Sequence, residues 1–351
     1  MKKESILVAI IGCKVGDSMG LLYEGIKPKR QKKMYPKIEN QSFLGGNGLI
    51  SDDTEHLIFT SYALYKSLGN EDIFEKLLAK ALKKWFLTLP YGIGFATLKS
   101  SIKLLLGFSP KKSGVNSAGN GPAMRSGILG ICFGQDKDKL KKLVKISTRI
   151  SHSDEKAEIG ALVIAFSAYI SSTEKNITPK EFYEKTKILL EEYNSKEFIN
   201  LLLDVITSVE KGEKTSDFCE RIFKGKGVSG YMYHTVPAVI HCWLSNQNNF
   251  KDGILEMIKC GGDTDTTSAI LGTIIGAKGN IEQIPDNWQN NVISFPYTLS
   301  YIEKISEALF NSLNGIKTDL KEPLNIIILI RNVFLYPIVL FYGFRRLFPP
   351  Y

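Results

Sequence analysis

Histidine is scarce in this 351-residue chain, with four residues in all, and its five cysteines include no CxxC pair. The cysteines, at 13, 132, 219, 242 and 260, are odd in number and irregular in spacing. No disulfide scaffold follows from them, and reduced thiols in a cytosolic protein fit them best. No Ser-His-Asp or Cys-His arrangement stands out, so acyl transfer through a side-chain nucleophile is not favoured. Regular alternation of apolar and polar residues is also hard to find, which argues against a β protein. Solenoid repeats and low-complexity tracts are missing as well, and no internal linker is evident before residue 315.

An ordinary globular composition is present, 44% hydrophobic and 23% charged, enough to bury a substantial core. Apolar residues recur at threes and fours around 5–23, 53–68, 71–88, 137–149, 155–171, 179–192, 196–210, 235–244, 250–259, 265–277 and 298–313. The expected fold class is therefore all-α. The basic start and short apolar run of MKKESILVAIIGCKVGDSMG are interrupted by Lys14 and Asp17, so this segment reads as a first helix rather than a signal peptide. A net charge of +9 and a pI near 9.1 favour anionic partners. Much of the excess sits in KPKRQKK at 27–33 and KDKLKKLVK at 137–145, both read as solvated faces. Neither is interleaved with aromatics as a nucleic-acid groove would be.

Two acidic clusters open helical patterns. In CGGDTDTTSAILGTIIGAKG at 260–279, Asp263 and Asp265 stand two positions apart among hydroxyls and glycines. In SDDTEHLIFTSYAL at 51–64, Ser51, Asp52 and Asp53 repeat the arrangement. Helix capping accounts for some of these acids: Thr264, Thr266 and Thr267 stand where caps would, and Asp52 to Glu55 has capping-box spacing. Capping needs only one acid per helix. Two such clusters are intelligible if they face each other across hard divalent cations, Mg²⁺ or Mn²⁺ rather than zinc, given ligands that are all oxygen. Gly12, Gly16 and Gly20 recur every fourth residue, as do Gly272 and Gly276, a spacing that lets two helix backbones approach closely.

Five segments in order, GDSMGLLYEG (16–25), SDDT (51–54), NGPAMR (120–125), STRISHSDEKAEIGA around His152, and GGDTDTTSAILGTIIGA (261–277), resemble the motifs of the ADP-ribosylglycohydrolases. That family includes the bacterial enzyme that removes ADP-ribose from dinitrogen reductase and the eukaryotic ADP-ribosyl-acceptor hydrolases. The resemblance implies an orthogonal all-α bundle with a binuclear Mg²⁺ or Mn²⁺ centre. Carried over residue by residue, it places Ser51, Asp52 and Asp53 on one metal, Asp263 and Thr266 on the other, and Asp265 between them. Ser51 stands where the family more often has Thr, and a hydroxyl oxygen is kept. Asn120, Gly121, Met124 and His152 are implied as substrate-binding residues around ADP-ribose; alone, His152 reads first as a capping or satisfied histidine with Ser151 and Ser153 as local partners, and only its place in the motif series brings the functional reading level. Glu24 and Asp53 are the implied proton-transfer groups, and the choice between them stays open. His56, His234 and His241 are left as structural.

The reaction this implies is hydrolysis of the glycosidic bond between ADP-ribose and an acceptor, through an oxocarbenium-like transition state. The partner would be an ADP-ribosylated protein or a small ADP-ribose conjugate, with nucleic acid only as an ADP-ribosylated substrate. Two alternatives are a weak or inactive ADP-ribose-binding relative and a binuclear-metal phosphohydrolase. The catalytic domain is expected over 1–315, and an apolar extension over 316–351. In that extension LNIIILIRNVFLYPIVLFYGF (324–344) is long enough to cross a bilayer, but Arg331 and Pro337 interrupt it. Segment 323–351 therefore reads as a membrane contact, an oligomer contact or an extra helix packed on its own domain. The expected location is the cytoplasm, with membrane association as one of the uses open to this segment.

Overall fold

The computed structural model describes residues 1–43 and 45–351. The apolar pattern at threes and fours becomes α-helix, and the protein is all-α. The first part of the chain forms α1 (Lys3–Gly20), α2 (Pro28–Met34), α3 (Asp52–Ser67), α4 (Glu71–Phe86), α5 (Phe95–Leu105) and α6 (Pro110–Ser113). The middle forms α7 (Gly121–Met124), α8 (Gly127–Phe133), α9 (Lys137–Arg149), α10 (Glu155–Thr173), α11 (Pro179–Leu189), α12 (Lys196–Glu210) and α13 (Thr215–Phe223). The remainder forms α14 (Met232–Ser245), α15 (Phe250–Lys259), α16 (Thr264–Gly276), α17 (Asp286–Asn290), α18 (Leu299–Leu313) and α19 (Asn325–Arg345). Among the described residues, the only strand pairing is a two-residue parallel match of Gly48–Leu49 with Val292–Ile293.

Helices without an apolar period have specific reasons for lacking one. The buried face of α5 is Thr97, Ser100, Ser101 and Leu104, mostly hydroxyl, so it leaves no hydrophobic stripe. In α8, Gly127 and Gly130 look like chain breakers but are packing sites. A Cβ on Gly130 would stand 1.6 Å from the Ala165 carbonyl oxygen of α10.

The centre of the molecule is the pair α1 and α16. A Cβ on Gly12 would lie 2.2 Å from the Gly272 oxygen, one on Gly16 2.1 Å from the Ser268 oxygen, and one on Gly20 2.2 Å from the Thr264 oxygen. The two backbones touch, and no other residue fits at these positions. The N-terminal segment is thus a core helix, buried from Ser5 to Gly20 apart from Leu7. Its Lys14 is buried too, donating from Nζ to the Gln289 carbonyl at 3.2 Å, and burial lowers its pKa to about 8. The five cysteines are unpaired.

His241 shows how burial sets charge in this core. Its ring nitrogens each lie 2.9 Å from a hydroxyl, those of Ser208 and Thr215, and its ring stacks on Phe218. Burial pushes its pKa down from 6.5 to about 4. The folded state keeps His241 neutral while the unfolded chain takes up a proton below about pH 6.5, so this contribution to stability is lost as pH falls from there towards 4. His241→Asn should therefore lose less stability than wild type between pH 7 and pH 4.5, by up to about 3 kcal/mol. Urea unfolding at the two pH values measures the difference.

Candidate active site

Close packing of α1 on α16 brings two loops together. Beyond Gly20 the chain makes a 3-10 turn, Leu21–Tyr23, and then presents Glu24. Gly25 N donates to the Gly262 oxygen at 2.6 Å, and Gly262 N returns a bond to the Ile26 oxygen at 3.0 Å. Gly261 and Gly262 have φ of +64° and +82°, and a Cβ on Gly262 would meet the Val228 oxygen at 2.0 Å. The GGD sequence is therefore a backbone clasp that sets Asp263 at the start of α16 opposite Glu24. Thr264 locks the junction by donating its hydroxyl to the Gly20 oxygen at 2.8 Å.

The α3 N-terminus arrives beside this clasp. Asp17 on α1, fully buried, accepts from the amides of Ser51 (2.9 Å) and Thr54 (3.2 Å) and from the Thr54 hydroxyl (2.5 Å). It is the anion that anchors the helix end. Ser51 is the N-cap: its Oγ accepts from Asp53 N at 3.2 Å and donates to Asp53 Oδ2 at 3.1 Å. Thr266 Oγ1 donates to the same Asp53 oxygen at 3.1 Å, joining the two acidic clusters across 213 residues of chain. The second oxygens, Asp53 Oδ1 and Asp265 Oδ1, are buried without any hydrogen-bond partner.

These carboxylates are poorly tolerated as anions. Burial first, and then repulsion from neighbouring acids, Asp17 among them in each case, raises the pKa of Asp52, Asp53 and Asp265 well above the usual carboxylate range. Glu24 is raised for the same reasons, with Arg346 opposing. Asp17, despite its hydrogen bonds, is lifted by burial to about 6.

The opposite wall of the cleft comes from the loop before α7. Asn120 Nδ2 donates to Asp263 Oδ2 at 2.7 Å and to Thr235 Oγ1 at 2.9 Å. Behind this loop lies His152, buried, with Nδ1 2.9 Å from Ser151 Oγ. A Cβ on Gly119 or Gly121 would stand 3.0 or 3.2 Å from its ring, so glycine lets the loop lie against the imidazole. Burial and then the Arg125 charge depress its pKa to about 3, leaving it neutral. Arg125 is wholly buried and organises this wall, donating to the Gly121 oxygen at 3.0 Å, the Ser147 oxygen at 2.8 Å and Ser151 Oγ at 2.6 Å. The cleft between the walls has a volume of about 630 Å³, and Glu24, Asp52, Asp263, Asp265, Thr266, Asn120, Gly121, Met124 and His152 all line it. Ser51 and Asp53 are buried and do not line it.

Residues 2–316 match the ADP-ribosylglycohydrolase family. The chain belongs to that family. A protein of Archaeoglobus fulgidus named only as uncharacterized is 26% identical over 293 residues, covering 82% of this chain and 90% of its own length. Human ADP-ribosylhydrolase ARH3 is 25% identical over 338 residues, covering 82% and 89%. The ADP-ribosyl-[dinitrogen reductase] glycohydrolase of Rhodospirillum rubrum is 24% identical over 293 residues, covering 80% and 88%. A solved structure described as an ADP-ribosylglycohydrolase-related protein complex shares the fold, with a TM-score of 0.66 at 22% identity over 89% of this chain and 98% of that one. Membership makes the protein a hydrolase of ADP-ribose glycosidic linkages, in a family that is generally dependent on divalent metals.

Within this glycohydrolase, a cation would find oxygen donors only: the carboxylates at the α3 and α16 N-termini and the Thr266 hydroxyl. Among the described residues, no three or more His, Cys, Asp or Glu side chains form a metal-holding group by themselves. The unpartnered oxygens of Asp53 and Asp265 and the raised carboxyl pKa values nevertheless fit a positively charged occupant.

The Asp52–Glu55 capping box expected from spacing is not formed. Ser51 caps α3, and Glu55 turns away to accept from Trp85 Nε1 at 2.6 Å and to pair with Arg331. His234, expected to be structural, lines the cleft, with Nδ1 2.8 Å from Ser229 Oγ. Asp17 and Arg125 lie inside the GDSMGLLYEG and NGPAMR segments, but the sequence assigns neither a role. Their signal was a charged residue inside an otherwise buried helix and an arginine closing NGPAMR, and neither reveals a buried partner.

Proposed function

We propose that this glycohydrolase cleaves ADP-ribose from a side chain of a mono-ADP-ribosylated protein, using two Mg²⁺ or Mn²⁺ ions. Ser51, Asp52 and Asp53 would hold one, Asp263 and Thr266 the other, with Asp265 between. The observation that carries this reading is the pair of buried, unpartnered oxygens of Asp53 and Asp265 beside a cleft large enough for a nucleotide sugar. When bound, such ions supply Lewis acidity and offset the repulsion among the acids.

The chain's own groups do the rest. Asn120 N is already bonded to the Gly230 oxygen at 2.9 Å and Gly119 N to Ser117 Oγ at 3.3 Å, so the backbone donor this loop would offer a phosphate oxygen is Gly121 N–H, in the first turn of α7. Asn120, braced by Asp263 and Thr235, couples that loop to the acid cluster. His152 stays neutral and contributes shape and a hydrogen bond rather than charge. Glu24 faces the cleft, and burial and the Asp263 charge raise its pKa, the direction a proton-transfer group needs; it would pass a proton to or from the reacting centre, with Asp53 as the alternative.

Incubating the protein with arginine-linked and serine-linked ADP-ribosyl peptides, with Mg²⁺, Mn²⁺ or EDTA, should release free ADP-ribose from one substrate only when the metal is present. Mass spectrometry reads the products, and release unaffected by EDTA would refute the metal-dependent reading. The two walls should also separate kinetically. Glu24→Gln is expected to lower kcat about a hundredfold with little change in KM, while His152→Ala raises KM about tenfold and lowers kcat less.

A further inference from the structure

Helix α19 and the tail beyond it lie outside the family match, and their surroundings point to a role of their own. The inner face of the helix is docked on the domain. Arg331, almost buried, pairs with Glu55 of α3; Asn332 Nδ2 donates to the Thr88 oxygen at 2.8 Å; and Tyr336 Oη donates to the Pro90 oxygen at 3.2 Å. The outer face is apolar and uncovered. Ile330, Phe334, Phe341 and Phe344 follow one another at helical spacing, each at least half exposed, and Leu347 and Phe348 continue the line.

A basic surface adjoins this stripe. Arg30 of α2 donates to the carbonyls of Phe348 and Pro350 at 3.1 Å each and stands 5.1 Å over the Tyr351 ring, while Lys33 Nζ bonds the Tyr351 oxygen at 2.6 Å. Lys27, Lys29, Lys32 and Lys33 remain exposed around it. Neither 27–37 nor 323–351 contains a single Asp or Glu.

From this juxtaposition we infer that α19 and α2 together form a docking surface for an anionic lipid bilayer, with α19 lying in the plane of the interface. A stripe of aromatic and aliphatic side chains flanked by lysines matches the acyl boundary and the anionic headgroups respectively. By length and hydropathy α19 is also apolar enough to cross a membrane. In the docked state it does not, because spanning would break the Glu55 pair and strand a buried carboxylate. A second copy of the chain is a poor occupant, since a two-fold contact through this face would bring the basic segments 27–37 and 323–351 of two chains together, and neither segment carries an acid to pair with the other's lysines.

The inference is independent of the proposed reaction, and sedimentation of the full-length protein with vesicles tests it. Partitioning onto phosphatidylcholine vesicles containing phosphatidylserine should exceed that onto phosphatidylcholine alone by at least about tenfold and should fall as salt is raised. Phe334→Glu with Phe341→Glu, both on the outer face and away from Glu55, should abolish binding while helical circular dichroism and turnover of soluble substrate stay unchanged. Lys29→Glu with Lys32→Glu should remove the preference for anionic lipid. Wild-type protein that stays in the supernatant with anionic vesicles would overturn the inference, as would undiminished binding by the Phe334/Phe341 variant. So would light scattering that shows a dimer which this variant dissociates and vesicles do not.

Discussion

Asp265→Asn is expected to reduce metal-dependent release of ADP-ribose by at least about a thousandfold, because it removes the one carboxylate proposed to face both cations. The structure says what should not change. Asp265 Oδ1 makes no hydrogen bond, and burial together with Glu24 and Asp263 disfavours its charge. The amide substitution therefore takes away a repelled buried charge without breaking a contact that supports α16. In EDTA the variant should melt no lower than wild type, while calorimetric titration with Mn²⁺ shows weakened binding and a smaller stoichiometry. A variant that loses activity through misfolding would fail the melting comparison. One that binds Mn²⁺ as wild type does would remove Asp265 from the metal set even if activity fell.

Gly16→Ala should have the largest effect on stability, a loss of about 3 kcal/mol or more, which is a large fraction of what holds a typical domain folded. The added Cβ would lie 2.1 Å from the Ser268 oxygen and 2.6 Å from its carbonyl carbon, both backbone atoms that cannot rotate aside. The helices must separate, and the loops they carry separate with them. Glu24 follows α1 and Asp265 follows α16, so residual folded protein should also lose turnover. Gly343→Ala on α19 is the control, since nothing lies within 4 Å of its added Cβ and a helical alanine is favoured. Chemical denaturation of the two variants beside wild type reads the contrast.

Much of the architecture was legible without coordinates because it depends on near neighbours in sequence. The helical periods of α9, α12 and α15 coincide with the observed helices to the residue. The four-residue glycine spacing on α1 and α16 marked the pair that packs backbone to backbone. The hydroxyl-flanked acids at 51–53 and 263–266 marked the two helix ends that meet. Each of these is a local pattern of burial or capping, written within a turn or two of chain.

Tertiary structure alone decided how those patterns are used. Glu55 has capping-box spacing, yet its partner is Arg331, 276 residues away, and only the docking of α19 reveals the pair. Asp17 looks like one polar residue in an apolar helix until the α3 amides close on it. Arg125 acquires its role from four oxygens and a histidine supplied by α3, α7, α9 and the turn after α9. The apolar tail, equally consistent in sequence with a span, a partner contact or a core helix, resolves into an inner face bonded to the domain and an outer face left bare. The physical reason is common to all four. A sequence states which groups are charged or apolar, but hydrogen-bond partners and the loss of solvent that shifts a pKa come from segments hundreds of residues apart, and only the packed chain brings them together.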